Sequence, residues 1–303
     1  MGMRIHVPFR HPDELAPLIE AGADSFYCGV VHPGNSINDR SNSVYFNLPD
    51  MRALEKSIRR IHDAGRSVAV AVNKQTLDIG AALRFIRAAD KLGTDELILS
   101  SLTLLHAARN LDVRCRLSLS CTNPVFNSEA LEFFRRFRVG KICLPRHLSL
   151  DDVASLSRSK GEVELEVFIM CGLCVFTEGY CGMHALPYED QGEPCYCFKV
   201  TRVRGAAAGK RKKAEYIESR LASRELDGCG LCALPRLLAL GIDSLKIEGR
   251  DEPLHDRIAY AKAVRDLLAV LRAGKISHEE YAEIAKKYCS ENVAPCNTKS
   301  CYY

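Results

Sequence analysis

The sequence contains no apolar run that approaches the roughly 20 residues needed for a membrane-spanning helix. Its opening residues, MGMRIHVPFRHPDE, lack the apolar core of a signal peptide. An excess of charge of one sign is also missing, because the formal net charge is only +4, too small to indicate a nucleic-acid partner by itself. These absences predict a cytoplasmic protein without a membrane span.

Two common hydrolase motifs are absent as well. The chain has no Gly-x-Ser-x-Gly elbow and no His-Glu-x-x-His helix. Peptide hydrolysis needs an activated nucleophile with a base, or an open metal site that activates water. His147 and His184 are predicted near the site described below, but a lone histidine is more often a surface or core residue. The residues therefore favour a peptidase only weakly.

What is present fits one large globular unit. The chain has 303 residues, of which 47% are hydrophobic and 26% are charged, an ordinary balance for a protein with a sizeable core. This length is common for a single α/β barrel.

Short β-branched and apolar segments alternate with segments of helical periodicity. The predicted strands are Arg4–Pro8, Ser25–Val30, Ser67–Asn73, Glu96–Ser100, Arg114–Ser120, Lys141–Pro145, Glu164–Met170 and Asp243–Gly249. The predicted helices are Pro12–Ala21, Pro49–Ala64, Ile79–Leu92, Thr103–Asn110, Ser128–Phe137 and Leu150–Lys160. Ser128 and Ser149 are predicted helix caps. Eight strands with helices between them predict an α/β fold, a (β/α)8 TIM-like barrel.

The connection after the seventh predicted strand is unusually long. It runs from Met170 to about Gly230, far beyond a typical βα loop. We therefore expect residues 1–275 to form the barrel, with a cysteine-rich insertion at 171–232. Residues 276–303 are expected to form a C-terminal helix and a cysteine-containing tail.

Fourteen cysteines are many for a chain in a reducing compartment, where disulfides rarely persist. Four of them lie in or beside apolar strand-like runs and are predicted to be small buried hydrophobes: Cys28, Cys115, Cys121 and Cys143. Seven others are concentrated in the insertion, and thiolates there favour zinc, copper(I) or an iron–sulfur cluster.

The spacing of the insertion cysteines allows two kinds of site. The pairs Cys171–Cys174 and Cys229–Cys232 have the short spacing that zinc sites prefer. An iron–sulfur cluster tolerates ligands from separate loops, which suits a more irregular set: Cys174, Cys181, Cys195 or Cys197, and Cys229. Spacing leaves zinc and iron–sulfur open, and cysteines that bind no metal are the third option.

A barrel carries its chemistry at the carboxyl ends of its strands. Arg146 follows the sixth predicted strand, and Lys246, Glu248 and Arg250 share one face at the end of the eighth. These four are candidate catalytic or anchoring residues, since Arg presents a two-pronged donor to carboxylate or phosphate. The alternative is a structural salt network that closes the barrel mouth, and the two roles can coexist.

Four segments carry a resemblance to a known family. They are ELAPLIEAGADSFYCGV near the amino terminus, LPRHLSLDDVASL at 144–156, EVELEVFIMCGLCVFTEGYC at 162–181 and GIDSLKIEGR at 241–250. On these motifs the chain resembles the collagenase-like peptidase family of class U through most of its length, and GIDSLKIEGR is the most specific match.

The resemblance implies a 4Fe-4S cluster and oxygen-independent hydroxylation, since several members of the family have both. Their targets are a ubiquinone precursor or bases of transfer or ribosomal RNA, so a small molecule or an RNA is the implied substrate. Some short members work as heterodimers, which makes a related partner chain part of the expectation. Carried onto this chain, the cluster ligands are Cys174, Cys181, Cys195 or Cys197, and Cys229.

Two further segments bear on partners. Six basic residues lie between Lys199 and Arg220. This patch could hold a phosphate backbone, or it could be a solvated hairpin tip. A zinc-stabilised RNA-binding module is thus a further alternative to the hydroxylation protein and the peptidase. The tail cysteines Cys289, Cys296 and Cys301 are spaced like metal ligands; the alternatives are a mobile tail or a partner-docking segment.

Overall fold

The computed structural model describes residues 2–32, 46–74, 77–172, 228–250, 252–274, 276–296 and 301–303. Eight parallel strands close into a barrel in chain order, with the eighth strand paired to the first. The strands are β1 Arg4–Pro8, β2 Ser25–Cys28, β3 Ser67–Val72, β4 Glu96–Leu99, β5 Arg116–Leu119, β6 Lys141–Cys143, β7 Glu164–Met170 and β8 Ser244–Ile247. The predicted (β/α)8 barrel is confirmed.

Helices surround the strands in the described residues. They are α1 Leu15–Glu20, α2 Met51–Asp63, α3 Ile79–Lys91, α4 Leu102–Ala108, α5 Ser128–Arg135, α6 Leu150–Ser159, α7 Leu234–Ala239, α8 Leu254–Ala273 and α9 His278–Asn292. Short 3-10 turns at Pro12–Glu14 and Leu231–Ala233 lead into α1 and α7. No helix in these described ranges is long and apolar enough to cross a membrane.

One predicted helix cap is confirmed and one is wrong. Ser149 caps α6, because its hydroxyl accepts a hydrogen bond from the Asp152 backbone while the Asp152 carboxylate bonds back to Ser149. Ser128 is instead the first residue of α5. Asn127 caps that helix, because its extended backbone lets Oδ1 accept from the Ala130 N–H at 2.8 Å.

The predicted strands are too long at several ends, for local reasons. The backbone N–H groups of Arg114 and Cys115 both donate to Asp90 Oδ1 at 2.8 Å, so β5 begins only at Arg116. Past β2, Val30 makes an isolated bridge to Leu48 outside the named strands.

The main apolar core lies between the strands and the helices. Val68, Val70 and Val72 of β3 and Val167 and Ile169 of β7 are buried in it. Cys28, Cys115, Cys121 and Cys143 are all buried, as predicted. The alternate strand residues therefore face the barrel interior, and these interior side chains supply the candidate site.

Candidate active site at the mouth of the barrel

Arg146 is held at the carboxyl-terminal mouth by two contacts. Its guanidinium carbon lies 4.1 Å from the centre of the Phe168 ring, and Nη1 lies 2.7 Å from Glu248 Oε2. The Arg146 side chain is only 8% exposed, whereas that of Glu248 is 33% exposed. Two of the predicted site residues thus form an ion pair, in which Arg146 is the more buried partner.

Lys246 points into the barrel. Its Nζ lies 4.5 Å from the centre of the Tyr27 ring and 3.6 Å from Glu166 Oε1. Arg250 lies beyond the end of β8, where its Nη1 donates to Asn47 Oδ1 at 3.2 Å. The four predicted residues therefore occupy one end of the barrel at different depths, with Lys246 deepest and Arg250 near the rim.

A layer of buried charges supports Lys246 from below. Glu166, whose side chain is 1% exposed, lies 2.5 Å from His6 Nδ1 and 3.3 Å from Lys141 Nζ, and it accepts from Ser244 Oγ at 2.9 Å. Lys141 also lies 2.6 Å from Glu96. This network satisfies charges that would be costly to bury alone.

The network sets the protonation states of the interior. Burial alone would raise the pKa of Glu166, but the charges of Lys141 and Lys246, with the hydrogen bond to His6, outweigh it and hold that pKa well below its usual range. Burial opposes the charged form of Lys246, yet nearby Cys143 and Glu166 raise its pKa well above the usual value. Burial also lowers the pKa of His6. Glu166 is therefore anionic, Lys246 cationic and His6 neutral near pH 7.

Sequence reasoning missed Glu166, His6 and Lys141, although a signal was present. In the β7 sequence ELEVFIM, Glu164 and Glu166 alternate with apolar residues, which places both on the face opposite Leu165 and Val167. In a barrel surrounded by helices the outer face is apolar, so this alternation indicates charges that point inward.

The tail residues reach the mouth. Tyr302 is buried in a cluster with Cys121, Cys143 and Phe168, and its hydroxyl donates to the Cys171 carbonyl. The Tyr303 hydroxyl donates to the Phe168 carbonyl at 3.1 Å. One wall of the mouth is thus made by residues more than 130 positions apart in the chain.

The chain turns sharply where β7 ends, and position 172 in this turn requires glycine. Cys171 and Gly172 both have positive φ, 63° and 78°. A Cβ on Gly172 would lie 2.5 Å from Glu248 Oε2 and would displace the partner of Arg146. The Cys171 backbone N–H donates to the Gly228 carbonyl at 2.8 Å, which ties together the two ends of the predicted insertion.

Cys229 is the one predicted cluster ligand that the described ranges contain. Its backbone bridges to Met170 at the end of β7 and to Cys301 of the tail. Its thiol hydrogen-bonds to Cys289, which raises the Cys229 pKa and lowers that of Cys289 to about 7. Cys174, Cys181, Cys195 and Cys197 lie outside the described residues, as do His184 and the basic segment 199–220.

Other thiols lie inside the mouth. Cys143 hydrogen-bonds to Cys121. Burial, and to a smaller extent this hydrogen bond, raises the pKa of Cys143 well above its usual value. Cys171 Sγ lies 3.8 Å from Glu252 Oε1. Within the ranges that the structure describes, no group of three or more His, Cys, Asp or Glu side chains is already arranged to hold a metal ion.

A cavity of about 250 Å³ lies at the opposite, amino-terminal end of the barrel. It is lined by first residues of strands, including Arg4, Ser25 and Glu96. Barrel proteins place their chemistry at the carboxyl-terminal end, so the mouth is the better candidate site despite this cavity.

These features define the class of the protein: an α/β barrel with a charged, thiol-rich mouth. Comparison with known families identifies it further, because the model of Peptidase family U32 matches residues 10–302. The chain belongs to this family.

Curated relatives are distant and longer. An uncharacterized protease of Methanocaldococcus jannaschii is 26% identical over 267 residues, which cover 84% of this chain and 63% of that protein. The tRNA hydroxylation protein P of Haemophilus influenzae is 22% identical over 304 residues, covering 84% of this chain and 65% of that protein. The chain thus spans less than two thirds of the length of these relatives.

Solved structures support the fold. A U32 peptidase matches with a TM-score of 0.50 and 14% identity, over 84% of this chain and 94% of the other. A dihydrodipicolinate synthase family protein from Coccidioides immitis matches with a TM-score of 0.54 and 10% identity, over 98% of this chain and 79% of the other. At these identities the likeness establishes the barrel alone.

Proposed function

We propose that this chain is an iron–sulfur enzyme that supports oxygen-independent hydroxylation of an RNA base, with transfer RNA as the substrate class. The observation that supports the proposal is the mouth itself, where a barrel end with basic and aromatic side chains lies next to Cys229. The names of several relatives, tRNA hydroxylation proteins, support the substrate class. A small aromatic or quinone precursor is the alternative substrate.

A 4Fe-4S cluster would be held by Cys174, Cys181, Cys195 or Cys197, and Cys229. Cys229 fits this role because its backbone is fixed to the end of β7, the part of a barrel where cofactors and substrates bind. When bound, the cluster would supply one-electron transfer.

The residues of the mouth would bind and orient the substrate. The Phe168 ring is already stacked against the Arg146 guanidinium, and a planar base can use the same kind of stacking contact. An anionic group of the substrate would compete with Glu248 for Arg146, whereas Arg250 at the rim offers a second cation. Lys246 stays protonated beside Glu166 and would donate a hydrogen bond to a substrate oxygen.

The test is analysis of modified nucleosides in tRNA. The full chain would be expressed in cells that lack their own related hydroxylation proteins, and total tRNA would be digested and analysed by mass spectrometry. We expect a hydroxylated nucleoside with the native chain and its loss with Arg250→Ala at unchanged iron content. Arg236→Ala is the matched control, because Arg236 on α7 is half-exposed and pairs with the exposed Asp151 of α6. An unchanged tRNA profile with the native, iron-loaded chain would remove the RNA substrate, and quinone extracts of the same cells test the alternative.

The peptidase alternative has less support in the interior geometry. His6, which is buried in the barrel, bonds to the Glu166 carboxylate and not to a hydroxyl or thiol nucleophile. A histidine base in a hydrolase must instead lie within hydrogen-bond reach of the nucleophile. Peptide cleavage by the purified, iron-free chain would favour this alternative.

A further inference from the structure

The tail folds back onto the segment that follows Cys229. Helix α9 packs against the 3-10 turn Leu231–Ala233, and Cys232 Sγ lies 3.9 Å from the Ala282 carbonyl of that helix. Residues 301–303 then pair with the same segment, since the Tyr302 N–H donates to the Cys229 carbonyl at 2.9 Å. Cys232, from the barrel, is thereby brought among the tail cysteines.

The chain reverses at the end of α9 in a way that brings the tail cysteines together. The N–H groups of Val293 and Ala294 both donate to the Cys289 carbonyl, and Cys289 Sγ lies 3.6 Å from the Ala294 carbonyl. The Cys296 N–H is held by Ser290 Oγ at 3.2 Å. Cys296 therefore lies beside the helix end that carries Cys289.

Backbone contacts bring Cys232, Cys289, Cys296 and Cys301 to one junction. Cys301 bridges to Cys229, close in the chain to Cys232. Helix α9, which carries Cys289 and is followed by Cys296, packs on the turn that contains Cys232. None of the four forms a disulfide. Such a concentration of thiols, contributed by two separate parts of the chain, is typical of a structural metal site in a protein kept under reducing conditions.

We propose that Cys232, Cys289, Cys296 and Cys301 form a second metal site, a tetrathiolate centre that binds one zinc ion and fixes the tail to the barrel. Four sulfur ligands select zinc or iron, and zinc binds such a set more tightly than ferrous iron does. The site uses none of the cysteines assigned to the 4Fe-4S cluster, although the Cys229 thiol contacts Cys289 at one corner.

The described side chains do not yet surround a single point at ligand distance. Cys296 and Cys301 are exposed, so their side chains can turn inward without disturbing packed residues. Cys289 is buried and Cys232 half-buried, so these two provide the fixed half of the site. Zinc binding would thus close the site by rotation of its two outer ligands.

Metal binding at Cys301 has a direct consequence for the mouth. The next residue, Tyr302, is only 8% exposed and packs 6.3 Å from the Phe168 ring centre. A zinc ion held partly by Cys301 would therefore keep Tyr302 in the wall of the barrel mouth.

The test is zinc and iron content of the full chain, purified anaerobically and then exposed to zinc under reducing conditions. We expect about one zinc per chain in addition to any iron. Zinc binding should be at least about tenfold weaker in Cys296→Ser and Cys301→Ser. Loss of a residue that only supports a ligand already weakens metal binding about tenfold or more, and these variants lose a ligand itself. Both variants remove exposed side chains, so loss of folding does not confound the result. Cys115→Ser, at a buried cysteine outside both sites, is the control and should retain the zinc.

Two further readouts separate this site from the cluster. Cobalt(II) added in place of zinc should give thiolate-to-metal charge-transfer absorption that Cys296→Ser lacks, while iron content stays unchanged. Zinc should also slow proteolytic cleavage of the tail in the native chain and not in Cys301→Ser. Zinc binding that is equally tight in the native chain and both tail variants would overturn the proposal, as would a native chain that binds no zinc. Neither result depends on whether the chain hydroxylates RNA.

Discussion

The substitution Glu166→Gln tests the buried charge layer beneath the mouth. Glu166 is 1% exposed and contacts His6, Lys141 and Lys246. The amide keeps the shape of the side chain but removes its charge. Lys141 retains Glu96 at 2.6 Å, whereas Lys246 loses the carboxylate that lies 3.6 Å from its ammonium group.

The expected loss follows from this difference. Removing one partner of a buried ion pair typically costs about 3–5 kcal/mol, because the other charge is left uncompensated. Since one lysine keeps its second carboxylate, we expect a single cost of this size in the free energy of unfolding and not two. Chemical denaturation at pH 7, monitored by circular dichroism, measures it.

A matched control and a rescue sharpen the test. Glu132→Gln removes an exposed carboxylate that pairs with Arg135 on α5 and should cost no more than about 0.5 kcal/mol. Adding Lys246→Met to Glu166→Gln should recover part of the loss, because the unpaired cation is gone. A loss below about 1 kcal/mol for Glu166→Gln, or no recovery in the double variant, would refute the view that Glu166 holds Lys246 in its charged form.

Two further predictions concern stability. Burial lowers the pKa of His6 below its ordinary value of 6.5, so the unfolded chain binds a proton that the folded chain resists. The free energy of unfolding should therefore fall as the pH drops below about 6.5, before the carboxylates titrate. His6→Asn should make this decline shallower. An identical pH profile of stability in the variant would contradict the prediction. Ser149→Ala should lose about 0.5–2 kcal/mol, as removal of a helix cap does, whereas Ser159→Ala at the exposed end of α6 should stay within about 0.5 kcal/mol in the same denaturation assay.

The barrel was predictable because its signals are local. Alternating and apolar strand segments predicted all eight strands. The predicted start of β5 was wrong because the Asp90 side chain captures the backbone donors of Arg114 and Cys115. The charged face of the last strand was likewise predictable, since Lys246 and Glu248 are two residues apart.

Other features of the mouth depend on contacts between distant segments. Tyr302 packs on Phe168, and Cys229 meets Cys289, through folding of the tail onto the end of β7. No spacing rule in one sequence reports such contacts. The partner of Arg146 was similarly hidden, because the pair with Glu248 joins the ends of β6 and β8.

Iron and acid-labile sulfide content after anaerobic purification tests the central claim most directly. The account predicts a coloured protein with about four irons and four sulfides per chain, as a 4Fe-4S cluster requires. It also predicts that iron is lost in Cys174→Ser and Cys181→Ser and retained in Cys115→Ser. A colourless protein without iron or sulfide, or a cluster that survives both ligand substitutions, would contradict it.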